Sequence, residues 1–187
     1  IDPELPEEEM LETIGAGRER MRPLLEKHNG PTMPTLYAFG HAHIDIAWLW
    51  PLVHTQRKMA ANVLNQLALF EEYPEFRFLQ SQPHLYWMLQ QHYPEIYARF
   101  KQAVREGRVI ADGGMWVEAD TNLSGGESLI RQILYGRAFF RDELGVDSRV
   151  LWLPYVFGYS GALPQILKGC GMIGFATQKI TWAFNGG

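Results

Sequence analysis

The stretch Thr35-Leu36-Tyr37-Ala38-Phe39-Gly40, running straight into His41-Ala42-His43-Ile44-Asp45-Ile46-Ala47-Trp48, decides how the rest of this chain is read. Its first half is short, β-prone and preceded by Pro34, the composition of a buried strand over residues 35–40. Its second half turns polar and aromatic, so the strand stops and a loop begins. Residues 52–70 then carry Met59, Val63, Leu67 and Phe70 at steps of three or four, which predicts a helix. Strand, polar loop and helix make one β/α unit.

That unit recurs. Strands are predicted over 76–80, 109–111, 149–153 and 173–177, and helices over 83–105 (broken at Pro94), 127–144 and 161–170. Alternating short strands and helices imply an α/β fold with a mostly parallel sheet, because each crossover returns over the sheet with one hand. Residues 6–27 form a charged helical lead-in, so the chain divides into a lead-in over 1–33 and a β/α domain over 34–187. The chain starts at Ile1 and stops at Phe184-Asn185-Gly186-Gly187, from which we expect a fragment of a longer protein. Its open sheet would then leave an exposed parallel edge.

Composition narrows the function. The chain has 187 residues, a formal net charge of -4 and scattered basic residues, which offers no field for a nucleic-acid backbone or an anionic membrane surface. No stretch approaches the roughly 18–20 apolar residues of a membrane span, and no secretory signal opens the chain. The expected location is cytoplasmic. The single Cys170 allows neither an internal disulfide nor a cysteine-based metal cluster, so any metal site must use His and carboxylate ligands.

Ligands in parallel α/β folds gather at the carboxyl ends of the strands. The segments that follow the predicted strands are His41 to Trp48, Ser81-Gln82-Pro83-His84, Asp112-Gly113-Gly114-Met115-Trp116-Val117-Glu118-Ala119-Asp120, and Pro154-Tyr155-Val156-Phe157-Gly158-Tyr159-Ser160. His41, His43 and Asp45 are spaced two apart, so on an extended backbone they project to one side and could converge on a divalent ion such as zinc. The competing reading makes one His a core residue and Asp45 a helix cap. Glu118 and Asp120 could act as an acid-base pair or bind hydroxyls, or Asp120 and Asn122 could form an ordinary turn. Trp116 could be core or a sugar platform.

Three of these runs, Gly40 to Pro51, Gly113 to Asp120, and Trp152-Leu153-Pro154 through Phe157-Gly158-Tyr159-Ser160 to Ile166, together resemble the amino-terminal catalytic domain of glycoside hydrolase family 38 α-mannosidases, the cytosolic and bacterial branch above all. The resemblance covers the chain from about residue 35. It implies a barrel-like parallel sheet of about seven strands, of which about five are present here. It also implies a retaining exo-glycosidase that cleaves terminal α-linked mannose from mannose-containing oligosaccharides with the help of zinc. On that resemblance His43 and Asp45 are metal ligands, His41 is structural or supports them, and Trp48 stacks on the sugar. Trp116 and Asp120 are further substrate contacts. Homo-oligomers, where family members form them, involve later domains.

The third motif departs from the family. The residue after the Leu-Pro pair, an Asp in the family that serves as nucleophile and zinc ligand, is here Tyr155 in Leu153-Pro154-Tyr155-Val156. Retaining glycosidases need two carboxyl groups about 5–5.5 Å apart, and a phenol with an ordinary pKa near 10 is a poor replacement. The family's general acid and remaining zinc-ligating His align beyond Gly187. The resemblance with this departure implies an α-mannosidase domain that is inactive as it stands. Two other readings stay open: a non-catalytic mannose-binding or interaction module, and a metal-dependent amide or ester hydrolase using His41, His43 and Asp45.

Overall fold

The computed structural model describes residues 4–27 and 30–181. The closing Phe184-Asn185-Gly186-Gly187, read above as the loop leaving the last strand, lies outside the described residues. The chain separates into two compact units, residues 1–37 and 38–187. The first carries α1 (Glu7–Leu25), which opens with Glu7, Glu8 and Glu9, acids that the helix dipole favours at this end. None of its residues is buried.

The second unit alternates β1 (Gly40–His41), α2 (Leu52–Glu72), β2 (Phe78–Gln80), α3 (Pro83–His92), α4 (Pro94–Arg105), β3 (Val109–Ala111), α5 (Gly126–Leu144), β4 (Val150–Trp152), α6 (Leu163–Gly169) and β5 (Gly174–Ala176), then a short 3-10 turn, Lys179–Thr181. All three sheet pairings are parallel. Pro94 divides the predicted 83–105 helix as expected: with no amide hydrogen it opens a new helix but cannot continue the old one.

One expectation needs correction. The strand predicted over 35–40 shrinks to Gly40–His41, because its pairing begins only at Gly40 opposite Phe78; upstream, Leu36 and Tyr37 are exposed and gain nothing from extension. The described strands form two short parallel sheets, β1-β2-β3 and β4-β5. Among the described residues, one isolated parallel bridge, Gly113 to Leu151, links them. Gly113 and Gly114 have φ of 135° and 77°, conformations that a residue with a Cβ rarely adopts. They turn the chain out of β3 so that this bridge can form.

Two apolar clusters hold the unit. Met59, Val63 and Phe70 from α2, Leu85, Tyr86 and Leu89 from α3, and Phe100 from α4 pack on Phe78 and Val109. Met115, Leu129, Ile133, Leu151, Leu153 and Leu163 form the second. Each fully buried side chain of this size contributes about 1.5–3 kcal/mol relative to exposure. Among the described residues, no helix is long and apolar enough to cross a membrane. The clusters fix the strands, and the loops at their carboxyl ends come together at one face.

Candidate functional site

The loops after β1, β3 and β4, with the 3-10 turn, enclose a cavity of about 770 Å³ lined by His41, Ala42, His43, Asp45, Trp48, Glu118, Asp120, Tyr155, Val156, Phe157 and Lys179. This is the size range of small-molecule sites. Trp48 presents an indole that is 62% exposed, an apolar face open to a ligand.

His43 is the hub. Its Nε2 is 2.9 Å from Asp45 Oδ1, as their spacing of two predicts. Its Nδ1 is 3.0 Å from Glu118 Oε2, but the contact lies off the hydrogen-bond axis, so both buried atoms lack a formed bond. Burial opposes the charged imidazole, yet Glu118 and Asp45 outweigh it and raise the His43 pKa above the usual histidine value. The side chains of His43, Asp45 and Glu118 are 13%, 37% and 3% exposed.

Glu118 is clamped from the loop after β2. Ser81 Oγ donates to its Oε1 at 2.6 Å, and its backbone amide donates to Gln82 Oε1 at 3.1 Å. Gln82 Nε2 also donates to the carbonyl of Ile44, between His43 and Asp45, at 3.0 Å. Gln82 therefore ties the first and third loops together from a left-handed backbone, φ 59°.

His41 faces elsewhere. Its Nδ1 donates to the Leu79 carbonyl at 3.0 Å and its Nε2 accepts the Trp152 indole N–H at 3.1 Å. Burial lowers its pKa, consistent with a neutral ring whose two nitrogens are both used by the protein. Donor atoms of His41, His43 and Glu118 all lie within 4.8 Å of one another, but a metal on His41 would displace the Trp152 bond.

Tyr155 stacks on His43, ring centroids 4.4 Å apart and planes 21° from parallel. Lys179 Nζ donates to the Tyr155 carbonyl at 2.7 Å and sits 3.6 Å from the centroid of the Phe157 ring. Asp120 lines the cavity, but its Oδ1 accepts the amides of Asn122 and Leu123 at 2.9 and 3.2 Å. The ordinary turn weighed above is present. A Cβ on Gly158 would lie 2.6 Å from that oxygen, so Gly158 is what lets the fourth loop approach.

Trp116 lies outside this lining. Its amide donates to the Gln132 carbonyl at 2.8 Å and the next amide to Gln132 Oε1, which turns its indole toward α5. There it packs against His84 and Phe139 and helps line a separate groove with Ser128, Arg131 and Tyr135. Glu118's closeness to His43 and the part played by Gln82 were not predicted. Their one sequence signal is position, each in a loop that leaves the carboxyl end of a strand.

A model of the glycosyl hydrolases family 38 N-terminal domain matches residues 33–186. The chain belongs to this family. It is 44% identical over 156 residues to alpha-mannosidase G of Dictyostelium discoideum and to human alpha-mannosidase 2C1, covering 83% of this chain but 14% and 15% of theirs. The alpha-mannosidase of Saccharomyces cerevisiae is 38% identical over 84% of this chain and 15% of its own length. The chain thus spans about one seventh of these relatives. Among solved structures, an alpha-mannosidase from Enterococcus faecalis V583 superposes with a TM-score of 0.67 at 27% identity, over 74% of this chain and 16% of that one.

Proposed function

We propose that this chain is the amino-terminal part of a zinc-dependent α-mannosidase catalytic domain, that its cavity receives a terminal α-linked mannose of an oligosaccharide, and that Tyr155 leaves it unable to hydrolyse the glycosidic bond. The observation that carries the reading is the Tyr155 ring stacked on His43 beside Asp45, where the resemblance puts the nucleophile.

The donors fit a divalent cation. Nε2 of His43 and Oδ1 of Asp45 are 2.9 Å apart, close enough that one ion bound at about 2.0–2.2 Å could reach both after they part by about half an ångström. His43 and Asp45 would hold the ion, and the family supplies further ligands from sequence beyond this chain. Zinc, when bound, supplies Lewis-acid contact to sugar hydroxyls. Trp48 offers the apolar face against which a pyranose packs, and Asp120 stands where it could accept a hydroxyl. Trp116, turned to α5, is left out of the sugar site. The seven-stranded barrel-like sheet and retaining chemistry belong to the complete domain in this reading.

Hydrolysis fails at the first covalent step. The anomeric carbon needs a carboxylate on the face opposite the leaving group. Tyr155 offers a phenol. The other carboxylates lining the cavity do other work: Glu118 accepts from Ser81, Asp120 caps a turn, and Asp45 pairs with His43. The same geometry favours a mannose-binding pocket without turnover over amide or ester hydrolysis, because His41 has both nitrogens engaged.

The test is hydrolysis of an aryl α-mannoside by the complete natural chain with added zinc, as given and as Tyr155→Asp. Turnover only by the Asp form is expected. Turnover by both would return Tyr155 or another residue to the nucleophile role, and turnover by neither would leave common ancestry without the activity.

A further inference from the structure

Glu118 is a buried carboxylate held between Ser81 and the hub of the site. It is 3% exposed at the side chain, and an uncompensated buried carboxylate is costly. One oxygen is satisfied by Ser81 Oγ at 2.6 Å. The other points at His43 Nδ1 from 3.0 Å without a formed hydrogen bond. The carboxylate is therefore fixed in place with its second oxygen at ion-pair distance from the imidazole.

The opposite edge of that ring faces Asp45. An imidazole that offers one nitrogen to a cation must carry its proton on the other, and a fixed carboxylate behind it selects that tautomer and holds the ring plane. Asp45, the more exposed of the two acids, is on the cavity side. Glu118 is on the protein side, held through Ser81 and through its own amide on Gln82.

We propose that Glu118 is a positioning residue, clamped by Ser81 and Gln82, that accepts a hydrogen bond from the Nδ1–H of His43 and so aims Nε2, together with Asp45, at a divalent cation. This rests on the zinc reading above for the identity of what is bound, but the orientation of His43 is a property of this chain alone. Ser81 and Gln82 thereby acquire a role in the site although neither lines the cavity. Glu118 is not itself a ligand in this arrangement, since its inner oxygen faces the nitrogen opposite the one that binds.

Two readouts on the complete natural chain test it. Calorimetric titration with zinc chloride should show affinity falling about 10–100-fold in Glu118→Gln, and by less in Ser81→Ala, which keeps the carboxylate but frees it to turn. Crystal structures of the parent and Glu118→Gln should show the His43 ring losing its orientation relative to Asp45. Unchanged zinc affinity with an unmoved ring overturns the proposal. So does a cobalt-substituted Glu118→Gln whose visible absorption reports a lost ligand, because Glu118 would then bind the ion directly. If the parent takes up no zinc, the zinc reading fails, and the ring orientation still decides this inference. A thermal midpoint close to that of the parent guards against a variant that merely misfolds.

Discussion

The phenol ring of Tyr155 lies nearly flat on the imidazole of His43, centroids 4.4 Å apart and planes 21° from parallel. One residue at the end of β4 thus covers the face of a ring supplied from the end of β1. The same Tyr ring has the Lys179 ammonium 5.1 Å from its centroid, and cations favour aromatic faces. Tyr155 is thus packed into the wall of the pocket.

Removing that ring should cost stability. An aromatic pair contributes about 0.5–1.5 kcal/mol beyond its buried area, so Tyr155→Ala should unfold earlier in denaturant by about that amount, while Tyr155→Phe, which keeps the stack, should stay close to the parent. Equal losses in the two variants would place the contribution in the hydroxyl.

The two histidines should separate cleanly. His43→Ala is expected to abolish measurable zinc uptake, whereas His41→Ala should lower the thermal midpoint through the Leu79 and Trp152 bonds and leave more of the zinc affinity. Calorimetry and thermal unfolding on both variants check this. Loss of zinc in both with stability unchanged would restore His41 as a ligand.

Gln82 holds two loops at once. Gln82→Ala strands the Ile44 carbonyl and the Glu118 amide, and each buried group left unpaired costs about 1–3 kcal/mol. Gln82→Gly loses the same bonds but relieves the backbone at φ 59°, a conformation that costs a residue with a Cβ about 1–2 kcal/mol. The Gly variant should therefore be the more stable of the two in equilibrium unfolding, and both should fall below the parent.

Acid should act through Glu143. Its carboxylate on α5 accepts from Lys101 Nζ at 2.5 Å and Tyr97 Oη at 2.9 Å on α4. Lys101 chiefly, and Tyr97 with it, hold its pKa below the ordinary 4.5 against a smaller opposing effect of burial. A folded-state pKa below the unfolded one stabilises the fold above the unfolded value and loses that contribution as pH falls through the folded value. Thermal midpoints measured down to about pH 3 should thus drop more steeply in the parent than in Glu143→Gln over the acid limb below 4.5. Parallel curves would show that Glu143 carries no pH-dependent stability.

The helices and four of the five strands were legible because their information is local: Met59, Val63, Leu67 and Phe70 mark one face of α2 by spacing alone, and Pro94 divides α3 from α4 by its missing amide hydrogen. The first strand was misplaced because Leu36 and Tyr37 have the right composition but no neighbouring strand, and pairing is not a local property. The contact of His43 with Asp45 was equally readable, from spacing.

Sequence by itself determined the parallel β/α order and the His43–Asp45 pair two residues apart. Only the tertiary structure decided that Glu118 stands behind His43, that Gln82 fastens both loops, that His41 is spent on Leu79 and Trp152, and that Trp116 turns away to α5. Those contacts join residues far apart in the chain. They depend on the parallel register, Gly40 beside Phe78 and Leu79 beside Ile110, which sets the strand ends level and is fixed by packing across the whole sheet rather than by any one segment.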